Sequence, residues 1–139
     1  MNPMQKQLVQ QTWAKVEPIS ELAAGLFYGR LFVIAPATQG MFIKSDMQKQ
    51  RQMLMQAIGL TVKSLDTLDK LVPVLEGLGR RHVDYGVRDE HYDSVGQALL
   101  WTLEQGLGEA FTPPVRDAWT QAYTLVASVM KAAAQKQAA

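Results

Sequence analysis

The chain has 139 residues, the common size of one domain, and is long enough to bury a core around a small cofactor. Its 14 Lys and Arg residues nearly balance its 13 Asp and Glu residues, and the net charge of +1 gives no field that would recruit nucleic acid or an anionic membrane. The sequence contains no cysteine, which excludes disulfides, thiolate metal ligands and cofactors attached through thioether bonds.

The N-terminal residues lack the apolar segment of a secretion signal, and no stretch is apolar for long enough to form a transmembrane helix. We therefore expect a cytoplasmic protein that does not cross a membrane. Apolar residues recur at intervals of three and four, the period of an amphipathic helix, and no run of strand-like alternation competes with it. The sequence predicts one all-α domain over residues 1–139.

Three helices are predicted in the first half of the chain. The first ends before Pro18, because proline disfavours a helical conformation in the residue that precedes it. The second stops or tightens near Pro36, and a short turn then leads to Phe42. The apolar stripes of the three helices are Leu8, Thr12, Trp13 and Val16; Leu22, Leu26, Phe27 and Leu31; and Met53, Leu54, Ala57, Ile58 and Val62.

Three more helices follow in the second half. Gly86 marks the end of the fourth, and Asp89 and Glu90 favour the N-terminus of the fifth. Thr112 before Pro113 predicts the start of the last helix. The fourth helix has an apolar face with spacings of four, three and four, made by Leu71, Leu75, Leu78 and His82.

Only two histidines, His82 and His91, are present, which excludes a multi-histidine metal cage and argues against a hydrolytic zinc site. A single histidine can still ligate the iron of one haem group. Spacing alone leaves two interpretations of His82 open, a hydrogen-bonded core histidine or a metal ligand.

Several separated motifs resemble the bacterial single-domain globins that are related to the globin part of flavohaemoglobins. The likeness covers essentially the whole chain, and the spacing of its motifs makes chance a poor explanation. The motifs are Leu26-Phe27-Tyr28-x-x-Leu31-Phe32; Pro36 with Phe42 six residues later; Arg80-Arg81-His82-x-x-Tyr85; His91-Tyr92-x-x-Val95-Gly96; and Asp117-Ala118-Trp119-x-x-Ala122-Tyr123.

The resemblance implies a globin fold of about seven to eight helices that enclose a non-covalent, b-type haem. It makes His82 the proximal iron ligand, Phe42 the aromatic side chain that stacks on the porphyrin, and Val87 a contact at the porphyrin edge. Tyr92 matches a family tyrosine that lies close to the proximal histidine. Simple core packing is the alternative for Phe42 and Val87, and His91 is interpreted as a solvent-facing residue.

On the distal side of the iron the resemblance places Tyr28, Gln50 and Leu54. Gln50 and Leu54 are four residues apart and therefore share a helical face. Bound oxygen carries partial negative charge, so we expect the Tyr28 hydroxyl and the Gln50 amide each to donate a hydrogen bond to it. Two such bonds predict oxygen release that is roughly ten- to a thousandfold slower than from an apolar pocket.

One position departs from the family pattern. Flavohaemoglobins have a glutamate late in the last helix, placed to bond the proximal histidine, and the matching residue here is Ala134. Without that carboxylate the imidazole should be less anionic, which disfavours peroxidase-like reactivity and weakens the expectation of dioxygenase turnover.

The resemblance leaves two functions open. One is a nitric oxide dioxygenase that forms nitrate from bound oxygen and nitric oxide; with no flavin domain in 139 residues, it would need a separate flavin-dependent reductase. The other is a protein that stores, delivers or buffers oxygen without turnover. A haemless globin is disfavoured because His82 and Phe42 are both present, and a sensor is not expected because the 139 residues include no output domain. We expect O2, NO and CO as ligands, neither nucleic acid nor membrane as partner, and a monomer or weak homodimer.

Overall fold

The computed structural model describes residues 1–138, so Ala139 of the predicted domain lies outside the described part. Within it the chain is all-α, as predicted, and contains no strand. Three short 3-10 segments, Glu17–Ile19, Pro36–Phe42 and Gly108–Ala110, connect the longer helices. The α-helices are α1 (Pro3–Val16), α2 (Ser20–Ile34), α3 (Met47–Lys63), α4 (Leu68–Asp84), α5 (Asp89–Leu107) and α6 (Pro113–Ala138).

Residues 1–138 thus contain six α-helices rather than the seven to eight that were expected. The difference arises partly after α2, where Pro36 begins a 3-10 segment and not a further α-helix. Asp46 then starts α3 by accepting hydrogen bonds from the backbone N–H groups of Gln48 and Lys49. The predicted start of α6 at Thr112 and Pro113 matches the structure, and the Thr112 hydroxyl accepts from the backbone N–H of Val115 at 3.4 Å.

A large hydrophobic core joins α1, α2, α5 and α6. Trp13 of α1 and Trp119 of α6 pack with ring centroids 6.3 Å apart. The buried Trp119 indole donates to the Thr12 hydroxyl at 2.8 Å, which satisfies a polar group that burial would otherwise leave without a partner. α3 packs against α1 and α2 and so belongs to the same body.

α4 differs from α3 in its packing partner, because α4 packs mainly on α6. A second, smaller cluster forms at this contact, with Leu71 and Leu75 from α4, Tyr92 from α5, and Ala127 and Met130 from α6. The helices α3 and α4 are therefore attached to different parts of the molecule. Within residues 1–138, no helix is both long and apolar enough to cross a lipid bilayer.

Candidate functional site

The Tyr28 group lies on α2, α3 and the segment that joins them. It comprises Tyr28, Phe42, Gln50 and Leu54. The Tyr28 ring is 6% exposed, and the Gln50 side-chain amide donates to its hydroxyl at 3.2 Å. Phe42 packs edge-on against Tyr28 with ring centroids 5.4 Å apart. Leu54 is half-buried against the same large core. The structure thus brings two of the three residues predicted for the distal side, Tyr28 and Gln50, into contact, and it packs Phe42, predicted to stack on the porphyrin, against Tyr28.

Gln50 and Tyr28 were each expected to donate a hydrogen bond to bound oxygen, but in the structure Gln50 donates to Tyr28. The hydroxyl oxygen of Tyr28 accepts from Gln50, so its own proton remains available for donation to another group. Burial raises the pKa of the Tyr28 phenol above its ordinary value of 10.0, and the Gln50 hydrogen bond lowers it in part. Tyr28 is therefore a neutral donor at physiological pH. In this arrangement Gln50 supports that donor.

Two phenylalanines extend the Tyr28 group. Phe27 packs edge-on against Tyr28 at 5.0 Å between ring centroids, and Phe32 lies 6.1 Å from Tyr28 and 5.7 Å from Phe42. Phe32 was not singled out as a site residue, although its position four residues after Tyr28 places it on the same face of α2. These rings fix the orientation of the Tyr28 hydroxyl by packing.

The His82 group lies at the C-terminal end of α4 and the start of α5. It comprises His82, Val87 and Tyr92. The Nδ1 atom of His82 lies 2.6 Å from the backbone carbonyl oxygen of Leu78. A carbonyl can only accept, so Nδ1 carries the proton and the Nε2 lone pair stays free. Burial lowers the pKa of His82, the Leu78 hydrogen bond raises it, and the Arg81 charge lowers it; the net direction is downward, which favours the neutral imidazole.

The backbone ties Val87 directly to His82, because the Val87 N–H donates to the His82 carbonyl at 3.0 Å. The chain makes this reversal at Gly86, whose φ of 85° lies in the left-handed region that glycine adopts without strain. Val87 is half-buried and packs against the second cluster, of which Tyr92 is a member. The ring of exposed Tyr85 is 5.8 Å from the His82 ring.

Tyr92 is 7% exposed, and its hydroxyl meets no hydrogen-bond partner among residues 1–138. Its backbone carbonyl accepts from the Tyr123 hydroxyl at 2.5 Å, and the Lys131 ammonium lies 5.5 Å from the centre of its ring. Ala134, the position of the family glutamate, is half-buried on α6. Sequence reasoning did not pair Lys131 with Tyr92, because residues 39 positions apart give no local indication of the contact.

His91 is half-buried rather than freely exposed. Its Nδ1 accepts from the backbone N–H of Arg88 at 2.8 Å and so caps the first turn of α5. The structure therefore gives His91 a structural role at the N-terminus of this helix. Within the described residues, no cluster of three or more His, Cys, Asp or Glu side chains is arranged to hold a metal ion.

Comparison with known families settles the class of the protein. The model of the globin family matches residues 25–130. The chain belongs to the globin family. A solved structure described as a hexacoordinated heme protein from an anhydrobiotic tardigrade superimposes with a TM-score of 0.89 over 97% of this chain and 96% of that one, at 16% identity. The predicted globin fold is confirmed.

The chain is also similar to several named globins. It is 31% identical over 123 residues to a flavohemoprotein of Bacillus subtilis, and 33% identical over 132 residues to one of Bordetella parapertussis. These matches cover 87% and 94% of this chain but 31% and 33% of the relatives, so the chain spans about a third of their length. A neuroglobin of Chaenocephalus aceratus is 28% identical over 138 residues, which cover 90% of this chain and 87% of that protein.

The residues of this globin fit a haem group chemically. His82 presents a neutral nitrogen with its lone pair free, and Tyr28 presents a buried hydroxyl whose proton is available. The two residues lie in parts of the molecule that are held by different helix contacts. Tyr28 is on α2, which packs against α3, whereas His82 is on α4, which packs mainly on α6. Both groups also contain partly buried apolar side chains, Phe42 and Leu54 in the first and Val87 in the second. This combination suits a flat apolar group with one metal ion.

Proposed function

We propose that this globin binds a b-type haem through Nε2 of His82 and retains a diatomic gas, chiefly oxygen, on the side of Tyr28. The observation that carries the proposal is the hydrogen bond from His82 Nδ1 to the Leu78 carbonyl. It fixes the tautomer and the ring orientation that an iron ligand requires. Haem, when bound, would supply a ferrous iron that can take up O2, NO or CO, and the formation of nitrate from O2 and NO would take one electron from that iron and leave it ferric.

The Tyr28 group supports preference for oxygen. A hydrogen bond from a buried hydroxyl contributes about 1–3 kcal/mol when the acceptor carries charge. Oxygen becomes more polarised than carbon monoxide on a ferrous iron, so the same donor retains oxygen more strongly. The aromatic neighbours of Tyr28 pack against its ring, which is buried, and so hold the donor in place.

Nitric oxide dioxygenation is the activity we propose, and it is supported by the Tyr28–Gln50 pair and by the flavohemoproteins among the relatives. The electrons that restore ferrous iron have to come from a reductase outside residues 1–139. Oxygen storage or delivery is the alternative, and Ala134 favours it because no carboxylate at that position strengthens the His82 ligand.

Optical spectra of the purified protein with added haem test the cofactor assignment. Spectra of the ferric, ferrous, oxygen-bound and carbon-monoxide-bound forms are compared between the wild type, His82→Ala and His91→Ala. We expect His82→Ala to lose the histidine-ligated spectrum and His91→Ala, the matched control, to keep it. A wild-type spectrum that survives His82→Ala would contradict the proposal.

The dioxygenase activity is tested with the oxygen-bound protein. Nitric oxide is added repeatedly with NADH and a cell extract as the source of reductase, and nitrate is measured per haem. Many equivalents of nitrate per haem, dependent on the extract, are expected for an enzyme. One equivalent alone would leave storage as the function, because oxygen-bound globins in general react once in this way.

A further inference from the structure

Gly79 lies where α4 and α6 approach most closely. A Cβ atom placed on Gly79 would lie 2.8 Å from the Cα of Met130 and closer still to its carbonyl oxygen. The Gly79 conformation is ordinary for a helix, so the requirement for glycine comes from the approach of the two backbones and not from φ. Backbone meets backbone here, and no flexible side chain lies between them to absorb a shift.

α4 depends on this contact for its position. Thr67, its N-cap, makes no side-chain capping bond, and Pro73 inside the helix removes one backbone hydrogen bond. α6 is the main partner of α4, while Val74 on its outer face is 43% exposed. An isolated helix of this length is marginal, so its place in the molecule is set by tertiary packing.

His82 follows Gly79 by three residues, less than one helical turn. The imidazole is also bonded to the carbonyl of Leu78, the residue immediately before Gly79. Any movement of α4 at Gly79 therefore displaces the histidine and the acceptor that orients it as one unit.

We propose that Gly79 is a positioning residue for the His82 ligand: its backbone contact with Met130 makes α6 the support that sets where His82 meets the iron. This rests on the proposed function of His82. A methyl group at Gly79 forces α4 away by at least about 0.6 Å, the difference between 2.8 Å and the 3.4 Å at which ordinary contact begins. Displacements of that size at a metal ligand reduce affinity about tenfold or more.

The test uses the haem-loaded protein and three variants. Gly79→Ala is compared with Gly77→Ala, a control on the same helix where an added Cβ meets only the end of the Arg81 side chain at 3.7 Å. Met130→Ala is the third, because it removes a buried side chain but leaves the backbone that Gly79 contacts. Haem dissociation, the iron–histidine stretching band of the ferrous form and thermal stability are measured for each.

We expect Gly79→Ala to lose haem about tenfold faster than the wild type and to shift or broaden the iron–histidine band. Gly77→Ala should match the wild type in both. Met130→Ala should lower the melting temperature and leave the band in place, which separates ligand position from general stability. An unchanged band in folded Gly79→Ala would overturn the proposal. Absence of the band in the wild type would instead overturn the proposed role of His82.

Free imidazole distinguishes the route of the effect. In His82→Gly with added imidazole, the iron ligand is no longer attached to α4. Adding Gly79→Ala to this variant should therefore leave the iron–imidazole band unchanged. A shift as large as the one that Gly79→Ala causes when His82 is present would contradict the proposal. It would show that Gly79 does not act through the attachment of the imidazole to α4.

Discussion

The Tyr28 group and the His82 group are built by different physical means. Tyr28 lies in the large core, surrounded by three phenylalanine rings and joined to Gln50 by a side-chain hydrogen bond. His82 lies on a helix supported mainly by α6, and its partner is a backbone carbonyl of its own helix. Side-chain packing thus orients Tyr28, the proposed donor to the gas, whereas helix placement orients His82, the proposed iron ligand.

This difference has consequences for substitutions. Changes at Tyr28 and Gln50 should act on the retention of the gas and leave the attachment of haem intact. Changes around α4 should act on haem attachment, as expected for Gly79.

Tyr28→Phe removes the hydroxyl and keeps the aromatic packing. We expect the oxygen dissociation rate to rise about 10- to 100-fold, which corresponds to about 1–3 kcal/mol for a lost hydrogen bond. Tyr85→Phe is the matched control, because Tyr85 is 61% exposed and lies beside His82. The rate is measured by stopped-flow spectroscopy after mixing with carbon monoxide. Equal increases for the oxygen and carbon monoxide dissociation rates would contradict the proposed preference for oxygen.

Gln50→Leu tests whether the amide acts through Tyr28. Because Gln50 donates to the Tyr28 oxygen, we expect a rise of about 3- to 10-fold in the oxygen dissociation rate, equivalent to about 1 kcal/mol. In the Tyr28→Phe background the same substitution should have little further effect. Additive effects in the double variant would mean that Gln50 donates to oxygen independently, as the sequence alone had predicted.

Thr12→Val examines the large core away from both groups. The buried Trp119 indole loses its acceptor, and the protein should be destabilised by about 1–3 kcal/mol. Thr120→Val on the exposed face of α6 is the control, and a change within about 0.5 kcal/mol is expected. Urea unfolding measures both. Oxygen dissociation should stay unchanged in Thr12→Val, and a large increase would show that the core around α1 also orients Tyr28.

The pH dependence of oxygen release should follow the Tyr28 phenol. Burial raises its pKa above 10.0, so the hydroxyl keeps its proton, and its role as donor, through neutral and mildly alkaline pH. We expect a flat dissociation rate between about pH 7 and pH 10, with a rise only above the raised pKa. Gln50→Leu removes the influence that lowers this pKa and should move the rise to higher pH. A rise centred below pH 9 would be incompatible with this assignment.

The sequence predicts the fold well because helical spacing, the position of Pro36 and the start at Thr112 are local features. Resemblance to a family brings Tyr28 and Gln50 together, and the hydrogen bond between them then depends on the distance between α2 and α3. The contact of Gly79 with Met130 joins residues 51 positions apart and depends on how two helices cross. Spacing along one helix carries no information on such a crossing.

Tyr92 of the His82 group and its neighbour Tyr123 should contribute little to stability. Tyr92→Phe removes a buried hydroxyl that has no partner among residues 1–138, so it should leave the free energy of unfolding unchanged or raise it by up to about 1 kcal/mol. Tyr123→Phe removes the donor to the Tyr92 carbonyl and should cost about 1 kcal/mol. Urea unfolding of both variants gives the comparison, and faster haem loss from Tyr92→Phe alone would assign its hydroxyl to the cofactor. If Tyr92→Phe proves as costly as Tyr123→Phe, the hydroxyl has an acceptor in solution, and the support of His82 then includes a polar contact in addition to the placement of α4.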